Sequence, residues 1–413
     1  MELKPGYKQT EVGVIPVDWD VKRLGEIARF RTGPFGSALH KQDYTDNGIP
    51  IVNPMHIVDS AIVPTYEMTI AAERATELAD FRLRQGDIVI GRRGEMGRCA
   101  VVAAAQDGWL CGTGSMIVRA NQGYSAEFLQ LILSSEPVIA SIENASVGST
   151  MINLNQGVLN GLKVALPSNI EEQQAIATCV NAVGSQVEAF QILITKKRQI
   201  KQAAMQELLT GKRRLPGFEG EWEEFSLGSV ASMNSGGTPP TGRDDYYGGG
   251  IPWVSISDMT SGGKFISQTE RTLSAAGLAN CAAKQFPAGT ILYAMYASLG
   301  ECSIAATEVT SSQAILGIRP GASLHNEFLF YYLSSIHDKV KLMGQQGTQS
   351  NLNKGIVQGF TLRLPGKAEQ IAIAEALGEI DQELDALSMK AQKIREMKAG
   401  MMQQLLTGKI RLI

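Results

Sequence analysis

The sequence lacks the features of a membrane protein, of a disulfide-rich secreted protein and of a metalloenzyme. Its 413 residues contain no run of 18 apolar residues, and the N-terminus lacks an apolar signal segment, so we expect a cytoplasmic protein without a membrane partner. There are only five cysteines and four histidines, without a CxxC pair or an HExxH motif. We therefore expect no metal site, and we expect Cys99 and Cys302 to be small core residues.

Catalytic signatures are missing as well. Residues 209–212 contain a Gly-Lys pair but not the GxxxxGK(S/T) spacing that cradles phosphates, and Gly112-Thr113-Gly114 is a lone GxG without a βαβ context. The Asn/Asp-Pro-Pro-aromatic tetrapeptide that adenine methyltransferases use is also absent, because residues 238–241 read Thr-Pro-Pro-Thr. These absences favour recognition over turnover, so the chain is predicted not to be an enzyme and to hold no cofactor.

The sequence has little positive charge for a protein that binds nucleic acid. Its formal net charge is -3, with 38 Lys and Arg against 41 Asp and Glu, whereas duplex binding usually draws on a basic surface. Basic residues gather only late in the first helical stretch. They are Lys196, Lys197, Arg198, Lys201, Lys212, Arg213 and Arg214. This cluster lies either near phosphates or on a solvated helix face, and affinity for DNA is expected to depend on a partner.

What the sequence does contain is an internal repeat with a period of about 200 residues. Asp-Tyr and Gly-Ile-Pro within residues 43–50 recur within residues 245–252, and Asn-Leu-Asn at residues 153–155 recurs at residues 351–353. Leu-Leu-Thr-Gly-Lys at residues 208–212 recurs 197 residues later. An ordered series of matches predicts a duplicated unit of one domain and one helix. Two similar modules suit the reading of two similar sites.

Each copy is predicted to be a mixed, mostly-β domain. Short β-branched runs, such as residues 87–90 and 290–293, lie between turn signals rich in glycine and proline. A short helix is predicted over residues 126–135, with a counterpart over residues 326–335. The predicted fold class is therefore α+β.

A long helix is predicted to follow each domain, because apolar residues recur there at alternating steps of four and three. The first stripe comprises Ile176, Val180, Val183, Val187, Phe190 and Ile194, breaks at Lys197, and resumes at Ile200, Ala204 and Leu208. The second stripe comprises Ile373, Leu377, Ile380, Leu384, Leu387, Ala391, Ile394, Met397, Met401 and Leu405. Each helix should run for roughly 38 residues, or about 57 Å. Gly211 and Gly408 are predicted C-terminal caps.

Two apolar stripes in one chain are buried most simply against each other. We therefore predict an antiparallel two-helix coiled coil that separates the two domains, with an approximate two-fold internal repeat. The predicted organisation is residues 1–166 as the first domain, 167–212 as the first spacer helix, 213–365 as the second domain and 366–413 as the second spacer helix. The alternative is two independent helices, each packed on its own domain.

The order of these motifs resembles that of the specificity subunit (S subunit, HsdS) of type I restriction-modification systems. The resemblance covers nearly the whole chain. It includes the Ile-Pro-x-Asp-Trp opening at residues 15–19, Gly-Pro-Phe-Gly-Ser at 33–37, Ser-Gly-Gly-Thr-Pro at 235–239, Gly-Ile-Pro-Trp at 250–253, and Glu-Gln at 172–173 and 369–370. Each motif is weak alone, but their order, their duplication and the helical spacers together are specific.

The resemblance implies two target recognition domains, each of which reads one half of a split double-stranded DNA sequence. It implies that the helices set the spacing and dock methyltransferase (M) subunits, two of them, and that restriction/translocase (R) subunits complete the complex. Those partners would carry out adenine methylation or restriction. They would bring S-adenosylmethionine, ATP and magnesium, together with most of the grip on the duplex, so no cofactor is implied for this chain.

Candidate base-reading residues follow from comparing the two copies. Where the copies agree, as at Gly97 and Gly300, a backbone requirement is expected; where they differ inside a matched frame, specificity is expected. The candidates are Arg31, Phe35, Ser37, Asn53, His56, Arg92 and Arg93 in the first copy, and Asn234, Thr238, Ser255 and Tyr296 in the second. Arg and Asn make bidentate contacts to guanine and adenine, and such contacts usually lie on loops. The alternative for each candidate is a solvated loop position or a phosphate contact.

Two other classes of function stay open from the residues alone. The first is a coiled-coil interaction scaffold with duplicated binding modules and no DNA role, which sequence-dependent DNA retention in the presence of partner subunits would exclude. The second is a fused restriction enzyme with its nuclease or methylase in this chain. The missing catalytic motifs argue against the second class.

Overall fold

The structure is a computed structural model that describes residues 5–35, 38–65, 67–145, 153–346 and 352–412. It consists of two compact units. Unit 1 comprises residues 1–189 together with residues 390–413, and unit 2 comprises residues 190–389. Each unit contains one domain and segments of both long helices. A compact unit is therefore not one continuous run of the sequence.

The first domain is built from short strands and short helices. Its strands are β1 (Tyr7–Thr10), β2 (Gly13–Pro16), β3 (Trp19–Arg23), β4 (Ala28–Thr32), β5 (Tyr44–Thr45), β6 (Ile49–Val52), β7 (Ile57–Val58), β8 (Ala61–Ile62), β9 (Thr69–Ile70), β10 (Ile88–Gly91), β11 (Cys99–Val101), β12 (Leu110–Cys111), β13 (Ser115–Ala120) and β14 (Lys163–Pro167). Its helices are α1 (Leu24–Ile27), α2 (Ala72–Glu77), α3 (Ala126–Leu133), α4 (Glu136–Asn144) and α5 (Gln156–Gly161). The first long helix, α6 (Ile170–Leu208), follows.

The second domain repeats this order of elements. Its strands are β15 (Glu223–Ser226), β16 (Ala231–Ser235), β17 (Tyr247–Val254), β18 (Phe265–Ile266), β19 (Arg271–Leu273), β20 (Ile291–Ala294), β21 (Cys302–Ala305), β22 (Thr310–Ser311), β23 (Ile315–Pro320) and β24 (Thr361–Leu364). Its helices are α7 (Leu227–Val230), α8 (Ile256–Gly262), α9 (Ala275–Ala279), α10 (Asn326–Ser335), α11 (His337–Gln346) and α12 (Lys354–Gln358). The second long helix is α13 (Lys367–Leu405).

Two four-stranded sheets form the centre of the first domain. One has the order β11-β10-β13-β4 and is antiparallel, and the other has the order β12-β6-β9-β5 with β12 parallel to β6. Successive side chains of β10 point to opposite faces. Ile88 and Ile90 pack in the cluster that contains α3 and the long helices, while Val89 packs with Val52 of the second sheet. Both faces of β10 are therefore buried.

The second domain has the same central arrangement. Its larger sheet has the order β16-β23-β20-β21-β18, and its smaller sheet has the order β19-β17-β22 with β17 parallel to β22. Ile291 and Tyr293 of β20 pack with α10 and the long helices, and Leu292 packs with Val254 of the smaller sheet. The two copies therefore bury matched strands in the same way.

Several predicted elements are confirmed. The β-branched runs form β10 and β20, and α10 has the predicted bounds, whereas α3 ends two residues early at Leu133. Cys99 and Cys302 are core residues, with 2% and 8% of their surface exposed. Burial raises the pKa of each thiol to about 12, so both stay protonated at neutral pH.

The long helices run antiparallel where they meet in unit 1. Ile176 and Val180, early in α6, share a buried cluster with Leu405 at the end of α13. Further along, a Cβ built on Gly184 would lie 3.1 Å from the Lys398 Nζ atom. Residue numbers rise along one helix as they fall along its partner, which defines antiparallel packing.

Unit 2 contains the complementary halves of the helices, again antiparallel. Leu208 at the end of α6 packs with Ile373 and Leu377 early in α13, and the Lys201 Nζ lies 2.5 Å from the Asp381 Oδ1. Each helix has 39 residues, close to the predicted length. The predicted fold of two mixed domains with an antiparallel helix pair is confirmed.

The predicted apolar stripe is wrong at two positions. Ile200 and Met397 were both placed in it, yet 55% and 53% of their surfaces are exposed. In unit 2 the packed face beside Ile200 carries charges instead, because Lys197 pairs with Glu383 and Lys201 pairs with Asp381. The apolar alkyl stem of a lysine covers a helix surface while its ammonium group stays hydrated or paired, so charged residues continue the helix contact there.

An arginine that follows the end of one helix binds the glutamate at the start of the other. In unit 2 the Arg214 Nη2 donates to the Glu369 Oε2 at 2.7 Å, and its guanidinium lies 5.8 Å from the Trp222 ring centroid. Gly211 precedes this arginine with a φ of 70°, the left-handed conformation expected of a helix C-cap. The cap prediction is confirmed.

Unit 1 has the same clamp with one more carboxylate. The Arg411 Nη2 donates to the Glu172 Oε2 and to the Asp18 Oδ2, both at 2.8 Å. The hydrogen bond from Arg411 lowers the pKa of Asp18. Gly408 has a φ of 66°, so the second predicted cap is confirmed too. The glutamates of both Glu-Gln pairs are therefore explained by these clamps.

The glutamines of the same pairs tie the long helices to the domains. The Gln173 side chain donates to the Pro167 carbonyl at 2.9 Å and accepts from the Ser125 N–H at 3.1 Å. Gln370 donates to the Pro365 carbonyl at 2.9 Å and accepts from the His325 N–H at 2.8 Å. Both glutamines are 1% exposed, so each holds the start of a long helix against a short helix of its domain.

Among the helices in the part of the chain that the structure describes, none combines the length and the apolar character needed to cross a lipid bilayer.

Candidate nucleic-acid interface

Apart from Ser37, which lies outside the described residues, the candidate residues of the first copy converge on one edge of the first domain. Because β13 is antiparallel to both β4 and β10, its start lies beside their ends. Because β12 is parallel to β6, the ends of these two strands also lie together, and a three-residue turn, residues 112–114, joins β12 to β13. We call this the strand-end edge. It comprises residues 31–35, 53–56, 91–93, 112–115 and 153–156 in unit 1, and residues 234–238, 255–258, 294–296, 312–315 and 352–354 in unit 2.

Backbone hydrogen bonds lock the segments of this edge together in unit 1. Gly33 N donates to the Ser115 carbonyl at 3.0 Å, Gly112 N to the Val52 carbonyl at 2.9 Å, and Arg92 N to the Gly114 carbonyl at 2.8 Å. A Cβ on Gly33 would lie 2.0 Å from the Gly112 carbonyl oxygen, so only glycine fits. The segment of residues 112–115 is therefore the common hydrogen-bond partner of three other segments.

Unit 2 repeats these three hydrogen bonds at the matched positions. Gly236 N donates to the Ile315 carbonyl at 3.0 Å, and Ser312 N donates to the Val254 carbonyl at 2.9 Å. Met295 N donates to the Ala314 carbonyl, also at 2.9 Å. The backbone frame of the edge is thus shared by the two copies, and the side chains on it differ.

The repeated Asn-Leu-Asn motif closes each edge. Leu154 N donates to the Arg92 carbonyl at 2.9 Å, and Leu352 N donates to the Met295 carbonyl at 3.1 Å. Both leucines are buried. The following Asn155 caps α5 by accepting the Val158 N–H at 3.0 Å, and Asn353 caps α12 in the same way. The motif is therefore scaffold, and its agreement between copies has a structural cause.

Six candidates present exposed side chains on the two edges. They are Arg31, Phe35, Arg93, Asn234, Thr238 and Tyr296. Phe35 is 68% exposed and Tyr296 is 40% exposed, which is unusual for aromatic rings that have no partner surface to cover. Thr238 is anchored as well, because its Oγ1 accepts the Gln313 N–H at 3.3 Å.

His56 does not fit the prediction that it reads a base. It is 1% exposed, its Nδ1 accepts the Asn53 N–H at 3.1 Å, and its Nε2 lies 3.1 Å from the Thr65 Oγ1. Burial lowers the pKa of this imidazole, which keeps the ring neutral. Both ring nitrogens are engaged inside the domain, so His56 supports the loop and has no ring nitrogen available for a base.

Ser255 has a structural role at the matched position of the second copy. It caps α8, where its Oγ lies 2.6 Å from the Asp258 Oδ2, and the same carboxylate accepts the Ser255 N–H at 2.8 Å. Asp258 thereby does what His56 does in the first copy. Ser255 is half-buried and its hydroxyl is engaged, so it is a weaker candidate than the exposed residues.

The side chains of Asn53 and Arg92 form hydrogen bonds that hold the backbone of the edge in place. The Asn53 Oδ1 accepts the Gly114 N–H at 3.4 Å, and a Cβ on Gly112 would lie only 2.2 Å from that oxygen. The Arg92 Nε donates to the Leu154 carbonyl at 2.9 Å. Burial, and to a lesser extent the neighbouring charge of Arg93, lowers the pKa of Arg92. Both side chains are half-buried, and they position the exposed residues beside them.

The charge of Arg31 is paired within the first domain. Arg31 is exposed on β4, pairs with Asp80 at 2.5 Å, and lies 5.1 Å from the Phe81 ring centroid. Ser37 lies outside the described residues. The basic cluster late in α6 is partly neutralised within unit 2, since Lys197, Lys201 and Arg214 all form ion pairs there.

Sequence reasoning missed the turn at the centre of each edge. As a lone GxG, Gly112-Thr113-Gly114 predicts no phosphate site, and its counterpart at residues 312–314, Ser-Gln-Ala, has no residue in common with it. The two turns lie 200 residues apart and precede matched strands. That offset, within the range of the repeat itself, was the signal that could have identified them.

Comparison with known proteins identifies relatives of the whole chain. The family model described as type I restriction modification DNA specificity domain matches residues 16–202 and again residues 219–396. A putative type I restriction enzyme specificity subunit, MjaX, from Methanocaldococcus jannaschii is 26% identical over 425 residues, which cover 98% of this chain and 96% of the relative. The HindI specificity subunit from Haemophilus influenzae is 26% identical over 192 residues, or 46% of this chain and 42% of the relative.

Solved structures share the fold. The type I restriction-modification S subunit from M. genitalium superposes with a TM-score of 0.60 at 15% identity, covering 98% of both chains. A chain from a study of complex assembly and conformational transition of the type I R-M system superposes with a TM-score of 0.59 at 20% identity, covering 96% of this chain and 99% of that one. These likenesses extend over both domains and both helices.

Proposed function

The chain belongs to the family of type I restriction-modification specificity subunits, which select DNA sequence and are not themselves catalytic, and we propose that each of its domains reads one half of a bipartite duplex target through its strand-end edge. The long helices set the distance between the half-sites and dock methyltransferase subunits. Adenine methylation or restriction is then carried out by those partner subunits on the sequence that this chain selects.

One observation carries the proposal: a shared backbone frame presents different exposed side chains in the two copies. The frame is held by the same three hydrogen bonds in each edge, which is what precise placement of a reading side chain requires. Arg93 occupies the position that matches Tyr296, and Phe35 occupies the position that matches Thr238. Two domains with the same backbone frame but different exposed side chains suit two half-sites of different sequence.

Partner subunits account for the weak positive charge of this chain. With a net charge of -3, its own phosphate contacts cannot supply the usual electrostatic share of duplex binding. We therefore assign most of the phosphate contacts to two M subunits and to R subunits, which would also hold S-adenosylmethionine, ATP and magnesium. The competing idea of a scaffold without a DNA role is disfavoured by family membership.

Exposed apolar side chains on the long helices suit the docking of an M subunit. In the unit 2 part of α6, Leu193 and Ile200 are 46% and 55% exposed. They are seven residues apart and therefore lie on one helix face. Neighbouring apolar residues on a solvent-facing helix are typical of an interaction surface, so this face is the proposed contact for a helix of the M subunit.

Exchange of one domain tests the assignment of half-sites. Residues 15–165, which hold every described segment of the first edge, are replaced by the equivalent part of a relative, and the methylated motif is mapped by sequencing modified adenines in cells that also express the M subunit. One half of the motif should change completely and the other should keep its bases. A change in both halves would contradict separate reading by the two domains.

Paired insertions test the spacing role of the helices. Unit 2 buries Leu208 and forms the Arg214 clamp just after it, so a single insertion at the end of α6 would displace the clamp. Four residues inserted after Gln191 in α6 and four after Lys390 in α13 preserve the antiparallel register. Each helix grows by about 6 Å, nearly two base-pair steps of roughly 3.4 Å.

The expected motif keeps both half-sites and gains one or two base pairs between them. An insertion of four residues in α6 alone is the control, because it breaks the register and should reduce activity without defining a new spacing. An unchanged spacing in an active complex with the paired insertions would show that something other than helix length sets the distance.

A further inference from the structure

The turn at the centre of each strand-end edge carries one exposed side chain. In the first copy the turn joins β12 to β13 and presents Thr113; in the second it joins β22 to β23 and presents Gln313. Both residues are exposed, whereas the residues on either side of the turn, such as Cys111 and Ser115, are buried. Each side chain therefore projects from a turn whose neighbouring residues are held in the domain.

The backbone of each turn is tied to the neighbouring segments on both sides. In unit 1, Ser115 N closes the turn on the Gly112 carbonyl at 3.0 Å, and in unit 2 Ile315 N closes it on the Ser312 carbonyl at 3.1 Å. The residue after the exposed one accepts from the segment that carries Arg93 or Tyr296, as described above. A side chain so placed cannot move away without breaking several backbone hydrogen bonds, each worth about 1 kcal/mol.

The packing under each turn differs between copies in a compensated way. In unit 1 a Cβ on Gly114 would lie 2.9 Å from the Pro54 Cδ. The second copy has Ala314 at that turn position and Ile256 in place of the proline. The turn is thus kept at the same place over different neighbours, and what varies above it is the exposed side chain.

We propose that Thr113 and Gln313 are further specificity-determining residues, each contacting a base edge in the half-site read by its own domain. This inference rests on the proposed function of the strand-end edge. Glutamine presents one acceptor and two donors, the pattern that pairs with N6 and N7 of adenine in the major groove. Threonine at the same place offers a hydroxyl and a methyl group, which suit a thymine methyl or a single hydrogen bond. Gln313 thus selects an adenine, and Thr113 makes a smaller contact.

The test uses the full chain in complex with its M subunit and maps methylated motifs for Gln313→Ala, Gln313→Thr and Thr113→Ala. Gln122→Ala is the matched control, because Gln122 is also exposed and follows the opposite end of β13. Gln313→Ala should relax one position of the second half-site by roughly 10- to 100-fold in preference for adenine, the equivalent of one bidentate contact. Thr113→Ala should relax one position of the first half-site by less. The control should leave the motif unchanged.

The possible outcomes separate this inference from the proposed function. If Gln313→Ala keeps the parent motif while Arg93→Ala or Tyr296→Ala alters it, the turn is not a reader but the edge is. If none of these variants alters the motif of an active complex, both ideas fail. An equal loss of binding to every sequence, with a weaker salt dependence, would identify Gln313 as a phosphate contact and overturn the inference. Gln313→Thr copies the residue of the other domain, so it provides the same test if the alanine variant folds poorly.

Discussion

The two domains share one frame, and they differ most at the junction between each domain and its part of the helix pair. In unit 2, Tyr331 of α10 donates to the Asp381 Oδ2 at 2.7 Å and accepts from the Lys264 Nζ at 2.9 Å, while Lys201 pairs with the same aspartate. Lys201, Lys264 and Asp381 also line a groove of about 1120 Å³. The matched positions of unit 1 hold Leu131, Gly184 and Lys398, which cannot form such a network.

This difference shows which parts of a duplicated chain stay alike. The clamps, the helix caps and the hydrogen bonds of the edges are common to both copies because each holds backbone in place. The junction network and the exposed edge residues differ, although the frame around them does not. Features common to both copies are therefore expected to affect stability, and features that differ are expected to affect the choice of DNA sequence.

The largest expected effect is on the arginine clamps. Arg214→Ala leaves the Glu369 carboxylate, whose side chain is 3% exposed, buried without its partner. Loss of one partner of a buried ion pair is strongly destabilising, so Arg214→Ala should lower the free energy of unfolding more than the control variant does. Chemical denaturation measures the free energy of unfolding. Arg213→Ala is the control, since its pair with Glu207 is exposed and is worth less than about 1 kcal/mol.

Arg411→Ala sharpens the comparison between the clamps. Arg411 binds Asp18 as well as Glu172, so its loss should cost at least as much as the loss of Arg214. Asp18 adds a pH dependence, because its pKa is lowered in the folded state. Its contribution is complete above its usual pKa of 3.8 and is lost as the pH falls below that value. A clamp variant no less stable than the Arg213→Ala control would contradict this account.

A smaller effect is expected from the adjacent arginines of the first edge. Arg93→Ala should relax or shift one base of the first half-site, at a cost of about 1 to 3 kcal/mol in discrimination if the contact is bidentate to guanine. Arg92→Ala should instead lower stability and weaken every sequence together, because its Nε holds the Leu154 carbonyl. Competition binding with single-base variants of the target distinguishes the two results. A motif altered only by Arg92→Ala would reverse these roles.

Loss of the asparagine caps should have equal effects in the two copies. Asn155→Ala and Asn353→Ala each remove a side-chain acceptor from the first turn of a short helix, which typically costs about 1 kcal/mol. Thermal unfolding of both variants measures the loss, and motif mapping should find the same bases as in the parent. A changed motif in either variant would show that this asparagine does more than cap a helix.

The smallest expected effect is the pH dependence that His56 gives to the stability of the first domain. The pKa of His56 is lowered by burial, so the unfolded chain takes up a proton before the folded chain does. Stability is therefore complete above the usual pKa of 6.5 and declines as the pH falls below it. His56→Asn keeps an acceptor for the Asn53 N–H and should lose less stability than the parent between pH 7 and pH 5. An identical decline in both proteins would show that His56 does not titrate there.

Much of the fold could be predicted because its signals are local. The seam positions Ile176, Val180, Ile373 and Leu377 are buried as predicted, and the glycine caps end both helices. The same reasoning failed at Ile200 and Met397, which are exposed. Beside Ile200, periodicity alone cannot show that ion pairs with the partner helix occupy the contact. An apolar residue that fits the helical repeat can therefore still face solvent.

The candidate site was predicted in outline but not residue by residue. Differences between the copies selected residues that lie exposed on the strand-end edges, Arg93 and Phe35 in unit 1 and Thr238 and Tyr296 in unit 2. Their role as base readers stays a prediction. His56 was misjudged because its partners, Asn53 and Thr65, engage both ring nitrogens only in the folded chain. The identity of a polar residue does not show whether its side chain faces a DNA base or forms hydrogen bonds inside the domain.

The sequence by itself determined the duplication, the mixed domains, the two long helices and their caps, because repeats, periodicity and turn residues are properties of neighbouring positions along the chain. Only the tertiary structure decided which candidates face outward and that the turns bearing Thr113 and Gln313 lie at the centre of each edge. Those facts depend on hydrogen bonds between residues far apart in sequence, such as Gly114 with Asn53 and Leu154 with Arg92. Pairing buried backbone polar groups is a condition on the whole fold, and no local pattern records which distant residues provide the partners.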